Sequence, residues 1–219
     1  MEELAESQPY FGSCERFRSH CLPGESVQRD CSLDWVRHKQ PYNSRVRILD
    51  VGCGVAKFPG SIGIDRLAAT RADVLVELDR FPYPFRDQSF DQVRAIHVIE
   101  HVGDVIKTME EFHRLLRPGG RVVLETPHYT DFSSWCDPTH KWHLNSFSFR
   151  YFGDDNAGFG YYSGARFREV SVKVKLLALW RWLGFEFLVN HSRPFRKFWE
   201  FYLCFVVRGK VMTFEFERV

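Results

Sequence analysis

Three histidines and two aspartates lie in one stretch, His128 to His143, with Asp137, His140 and His143 close together. A histidine beside a hydroxyl or an amine can take its proton as a general base. Histidine and aspartate together can hold a divalent ion that acidifies a bound oxygen. A third reading is a hydrogen-bonded clasp, with Asp137 capping the turn at Pro138 and His140 bonded to backbone. We expect His128, His140 and Asp137 to serve as base or acceptor contacts, and we commit to no metal ligand set.

A second group of residues could hold a ligand. Val46-Arg-Ile-Leu-Asp-Val-Gly-Cys-Gly54 runs from an apolar stretch into Asp50, Gly52 and Gly54. Glycine tolerates positive φ and lets backbone approach a bound molecule closely. Asp65 ends a second apolar stretch, Asp79 follows a third, and His97 ends a fourth, with Glu100-His101 just beyond.

These groups need strands to carry them. Strands are expected at Val46–Val51, Ser61–Asp65, Ala72–Leu78, Gln92–Ile99 and Arg121–Thr126. Asp104 can cap a helix through Leu116, with Val105, Met109, Phe112 and Leu116 on its apolar side. Pro118-Gly119-Gly120 should end it. Only Val55 to Gly60 separate the glycine turn from the second strand, so the first crossover has room for a turn but no helix. Residues 128–164 read as loops and short helices. Phe167–Leu177 and Met212–Val219 alternate as strands. Phe195, Phe198, Trp199, Tyr202, Leu203 and Val206 share one face of a helix between them. That stripe, flanked by basic residues, suits core packing or a dimer contact better than a membrane surface.

The chain has 219 residues, 44% of them hydrophobic, enough for one α/β domain with a core. We expect an N-terminal arm or lid over 1–44, a single domain over 45–219, and a helical insertion over 178–209. A formal charge of +2 gives no sign of a nucleic-acid partner. No Cys-x-x-Cys pair occurs, although Cys14, Cys21, Cys31 and His20 are near neighbours in sequence. The acidic start and the lack of a long apolar run lead us to expect a cytoplasmic protein with reduced thiols.

Taken in order, Leu49-Asp-Val-Gly-Cys-Gly54, Gly63-Ile-Asp65, Phe85-Arg-Asp-Gln-Ser-Phe-Asp91, His97-Val-Ile-Glu-His-Val102 and Glu111-Phe-His-Arg-Leu-Leu-Arg-Pro-Gly-Gly120 resemble a class I S-adenosylmethionine-dependent methyltransferase of the type-11 group. The likeness spans residues 45–127. The Asp137-Pro-Thr-His140 element and short first crossover are similar to one subgroup of it. The resemblance implies a doubly wound, seven-stranded, mostly parallel α/β sheet with the last strand antiparallel. It implies S-adenosylmethionine as methyl donor, and an oxygen or nitrogen of a small-molecule or glycan-like acceptor. Asp50, Gly52, Cys53 and Gly54 would then lie along the donor's ribose and amino-acid end, with Lys57 or the arm closing that end. Asp65 would accept from the ribose hydroxyls, Leu78 and Asp79 would flank adenine, and His97 would stand where the methyl group points. His101 is either a site residue or a packed one. Two rivals are a nonenzymatic nucleoside-binding module and a nicotinamide oxidoreductase. The second lacks the third glycine and the helix its phosphate site needs.

Overall fold

The computed structural model describes residues 46–153 and 161–219. The expected arm, the helix considered over 25–38, and Cys14, His20, Cys21 and Cys31 lie outside them.

Seven strands form one sheet: β1 (Ile48–Val51), β2 (Ile62–Asp65), β3 (Val74–Leu75), β4 (Phe90–Ile96), β5 (Leu116–Pro127), β6 (Phe167–Leu176) and β7 (Gly209–Arg218). Their order is β3-β2-β1-β4-β5-β7-β6. Strands β3 to β5 pair in parallel, and β7 runs antiparallel to both β5 and β6. This is the expected doubly wound sheet. All four residues of β1 are buried, as they must be in a parallel strand covered on both faces. Leu49, Ile64, Val93, Ala95 and Leu124 form the centre of the core.

The first crossover contains no helix, as its length dictates. Asp50 explains how the chain manages without one. Its carboxylate accepts the Phe58 N–H at 2.7 Å and pins residues 55–61 back against β1. The Phe58 ring in turn lies 4.2 Å from the Arg94 guanidinium. Strand β3 is much shorter than expected. Asp73 turns its carboxylate to the Gly63 N–H and to Lys57, and beyond Val76 the chain turns at Glu77–Arg80.

Helix α1 (Val105–Leu115) is capped by Asp104, whose side chain accepts from the Lys107 N–H. The chain passes straight from it into β5 at Leu116, so Pro118-Gly119-Gly120 belongs to the strand's irregular start. Short helices α2 (Phe132–Cys136), α3 (Ala178–Trp182), α4 (Phe185–His191) and α5 (Arg193–Phe198) follow, and α5 continues into a π-helical turn, Trp199–Leu203. The wider turn alters the face expected for 195–206. Trp199 is buried, whereas Phe198, Phe201, Tyr202, Phe205 and Val206 are exposed. Among the described residues, no helix is long and apolar enough to cross a membrane.

Candidate functional site

The strand order reverses between β1 and β4, and in doubly wound sheets ligands bind beyond the carboxyl ends at that point. The β1 side is the glycine turn. Gly52 and Gly54 have φ of +60° and +53°, which a side chain would strain. They differ in surroundings. A Cβ on Gly52 would come within 2.4 Å of Val98, whereas one on Gly54 would meet nothing within 4 Å. Gly54 therefore forms an open ledge. Cys53 lies beneath it, and burial pushes its thiol up to about 11, which leaves it an inert packing group.

Asp65 stands beside the ledge. Its Oδ2 accepts from the Gly54 N–H and its Oδ1 from the Leu67 N–H, both at 3.0 Å. A carboxylate has about four acceptor positions, so two remain. Asp79 has two partners as well. It accepts the Gly103 N–H at 2.6 Å and lies 3.2 Å from Lys141 Nζ. Leu78 is half-buried next to it. Lys57 puts its ammonium 2.7 Å from Asp73.

Arg94 is a residue the sequence reading passed over. It is buried on β4, with Nε and Nη1 lacking hydrogen-bond partners. Burial lowers its pKa, opposed by Asp50 and Glu125. The signal available was a lone arginine inside the apolar run Val93-Arg94-Ala95. Asp50 is its counter-charge as well as the latch on Phe58. Asp50→Ala is expected to lower stability by about 2 kcal/mol, read from urea unfolding, since it removes a charge-assisted buried bond. A midpoint equal to wild type would refute the latch.

The β4 side carries the histidines. His97 sits at φ +54°, a strained position for a side chain of its size. Its ring lies 3.2 Å from Glu100 and 3.4 Å from Glu125, and these two carboxylates raise its pKa to about 9. The Asp137–His143 segment folds over this strand end. Lys141 and Trp142 N–H groups donate to the Glu100 carbonyl, and the Trp142 indole donates to the Val102 carbonyl. Asp137 accepts from the Thr139 N–H and hydroxyl, bonds that hold its carboxyl below the usual range. His140 Nδ1 lies 3.0 Å from the Ser134 carbonyl, and His101 stacks edge-on against His140.

His128 is elsewhere. It is fully buried, with Nδ1 2.7 Å from Thr130 Oγ1 and Nε2 3.3 Å from both Glu200 oxygens. The structure thus gathers His97, Glu100, His101, Asp137 and His140 at one strand end, and leaves His128 in the packing between β5, β7 and the π turn. His143 also stands apart, stacked on Trp135.

Residues 25–182 match a family model described as a methyltransferase domain. The chain is 25% identical over 139 residues to sterol 4-C-methyltransferase strm-1 of Caenorhabditis elegans, covering 52% of this chain and 42% of that protein. It is 31% identical over 101 residues to methyltransferase GfsG of Streptomyces halstedii, covering 36% of each. The chain spans less than half the length of either relative. Its fold matches a SAM-dependent methyltransferase from Archaeoglobus fulgidus with a TM-score of 0.58 at 18% identity, over 84% of this chain and 91% of that one.

Proposed function

The chain belongs to the S-adenosylmethionine-dependent methyltransferases, and from that premise we propose that it methylates an oxygen or nitrogen of a small-molecule or glycan-like acceptor. The donor supplies a methyl group on a positively charged sulfur. The residues present fit it: the space over Gly54 is open, and Asp65 keeps acceptor capacity beside that space. We assign the backbone of Gly52, Cys53 and Gly54 to the donor's ribose and amino-acid end, where Asp50 holds the turn in shape. We assign Asp65 to the ribose hydroxyls, and Leu78 and Asp79 to the adenine edge. Lys57 reaches the donor only if it leaves Asp73.

The observation that carries this reading is the open glycine ledge facing a histidine-rich strand end across the switch point. Holding donor and acceptor in line supplies much of the rate in such a displacement. Among His128, Asp137 and His140, His140 suits the acceptor best. Its Nε2 has Asp137 Oδ2 at 3.9 Å, beyond hydrogen-bond reach, whereas both nitrogens of His128 are engaged and buried. The positive charge that His97 carries at neutral pH is balanced by Glu100 and Glu125.

Isothermal titration with the donor and with its demethylated product tests the reading. Binding of both is expected, and no binding below millimolar concentration would refute it. Asp65→Asn should weaken product binding by about 10- to 100-fold, the loss of charge-assisted bonds. Unchanged affinity would remove Asp65 from the ribose.

A further inference from the structure

Two histidines and a glutamate stand together at the β4 end. Glu100 is 1% exposed; its Oε1 is bonded by His97, and its Oε2 has no hydrogen-bond partner. A buried, unpaired carboxylate oxygen is costly and calls for a physical reason.

The two histidines beside it are turned the same way. Thr139 donates its hydroxyl to Asp137, so its Oγ1 accepts from His101 Nδ1 at 2.9 Å. His140 Nδ1 faces the Ser134 carbonyl, which can only accept. A neutral ring bonded in this way carries its proton on Nδ1 and offers the Nε2 lone pair to a ligand. One ligand atom from each of Glu100, His101 and His140 lies within 4.8 Å of the others. A cation among them would use the acceptor capacity that the Glu100 Oε2 atom leaves unpaired.

We propose that Glu100, His101 and His140 form a binding site for a divalent transition-metal ion of the zinc type. Two imidazoles and one carboxylate are a donor set for zinc, cobalt, manganese or iron, whereas magnesium prefers oxygen alone. Ligand atoms around tetrahedral zinc stand roughly 3.4 Å apart, so the trio closes by at most about 1.4 Å through side-chain rotation. The bonds to Thr139 and Ser134 are the outer contacts that orient metal-bound imidazoles. Asp137 aims this shell: it holds Thr139, which holds His101. Three protein ligands leave a coordination position open, as catalytic sites require. Resting on the function proposed above, that position would take the acceptor's oxygen or nitrogen and lower its pKa, and His140 would act as ligand, not base.

The test needs neither donor nor acceptor, so it can fail while the methyltransferase reading stands. The full chain, stripped with chelator, is titrated with zinc, and with cobalt for its visible absorption. One tightly bound equivalent and a tetrahedral cobalt band are expected. His101→Ala, His140→Ala and the shape-preserving Glu100→Gln should each weaken zinc binding tenfold or more and bleach that band. Circular dichroism checks that each variant is folded, and His143→Ala should bind as wild type. No uptake by the wild-type chain would overturn the site. So would uptake that survives all three ligand substitutions, which would place the ion elsewhere, for example on the cysteines before residue 45.

Discussion

Glu200→Ala should lower the stability of the fold by about 2–4 kcal/mol, the cost of leaving buried hydrogen-bond donors without their charged acceptor. Glu200 lies on the π turn and is buried. One oxygen accepts the Ser146 N–H at 2.8 Å, and both lie 3.3 Å from His128 Nε2. Alanine leaves a buried N–H and a buried imidazole nitrogen without partners. Domains have roughly 5–15 kcal/mol in all, so the shift in urea midpoint should be large. A loss under about 1 kcal/mol, the scale of a surface pair, would show that this triad holds little.

The pair also sets an acid limit. Burial alone would raise the Glu200 pKa, but the bonds from His128 and Ser146 outweigh it and hold the carboxyl below its ordinary 4.5. A carboxyl lowered in the folded state contributes stability above its unfolded pKa, and that contribution is lost as pH falls through the folded value. The stability gap between wild type and Glu200→Gln should therefore be constant near neutrality and narrow on acidification below pH 4.5. A gap that stays level through that range would contradict the assignment.

Gly52→Ala is the second large effect. Positive φ costs a side chain about 1–2 kcal/mol, and pressing a methyl into Val98 adds about 1–3 kcal/mol of overpacking. The expected loss is thus about 2–5 kcal/mol. Val98 follows His97 directly, so the push carries from the glycine turn to the strand end where the histidines gather. Gly54→Ala is the informative partner, because its added methyl meets open space. It should cost only the strain, about 1–2 kcal/mol, yet block binding of the demethylated donor. If Gly54→Ala binds that product as wild type does, the ledge is not where the donor lies.

Much of this was readable from neighbours in sequence. β1 and its glycine turn announce themselves because an apolar run and two glycines are contiguous. The missing first helix follows from counting residues, and α1 from the spacing of Met109 and Phe112 after the Asp104 cap. Where reading failed, the partner was distant. His128 resembles a catalytic histidine until Glu200, 72 residues on, and Gly209 close over it. Nothing local tells that a π turn will leave Phe198, Tyr202 and Val206 of the expected face exposed. The trio at the β4 end joins adjacent residues to His140, and its message lies in which nitrogens are already bonded, a matter of hydrogen positions that letters do not carry.

The seventh strand of the described sheet is not at its edge. β7 lies between β5 and β6, and its Lys210 carbonyl accepts the His128 N–H. During synthesis the glycine turn, both histidine segments and the other six strands of the sheet emerge before β7 does. Until then β5 and β6 each present an unpaired edge, the kind of surface that recruits other strands. The sheet should thus close in a late, cooperative step, when residues 209–218 pair with β5 on one side and β6 on the other.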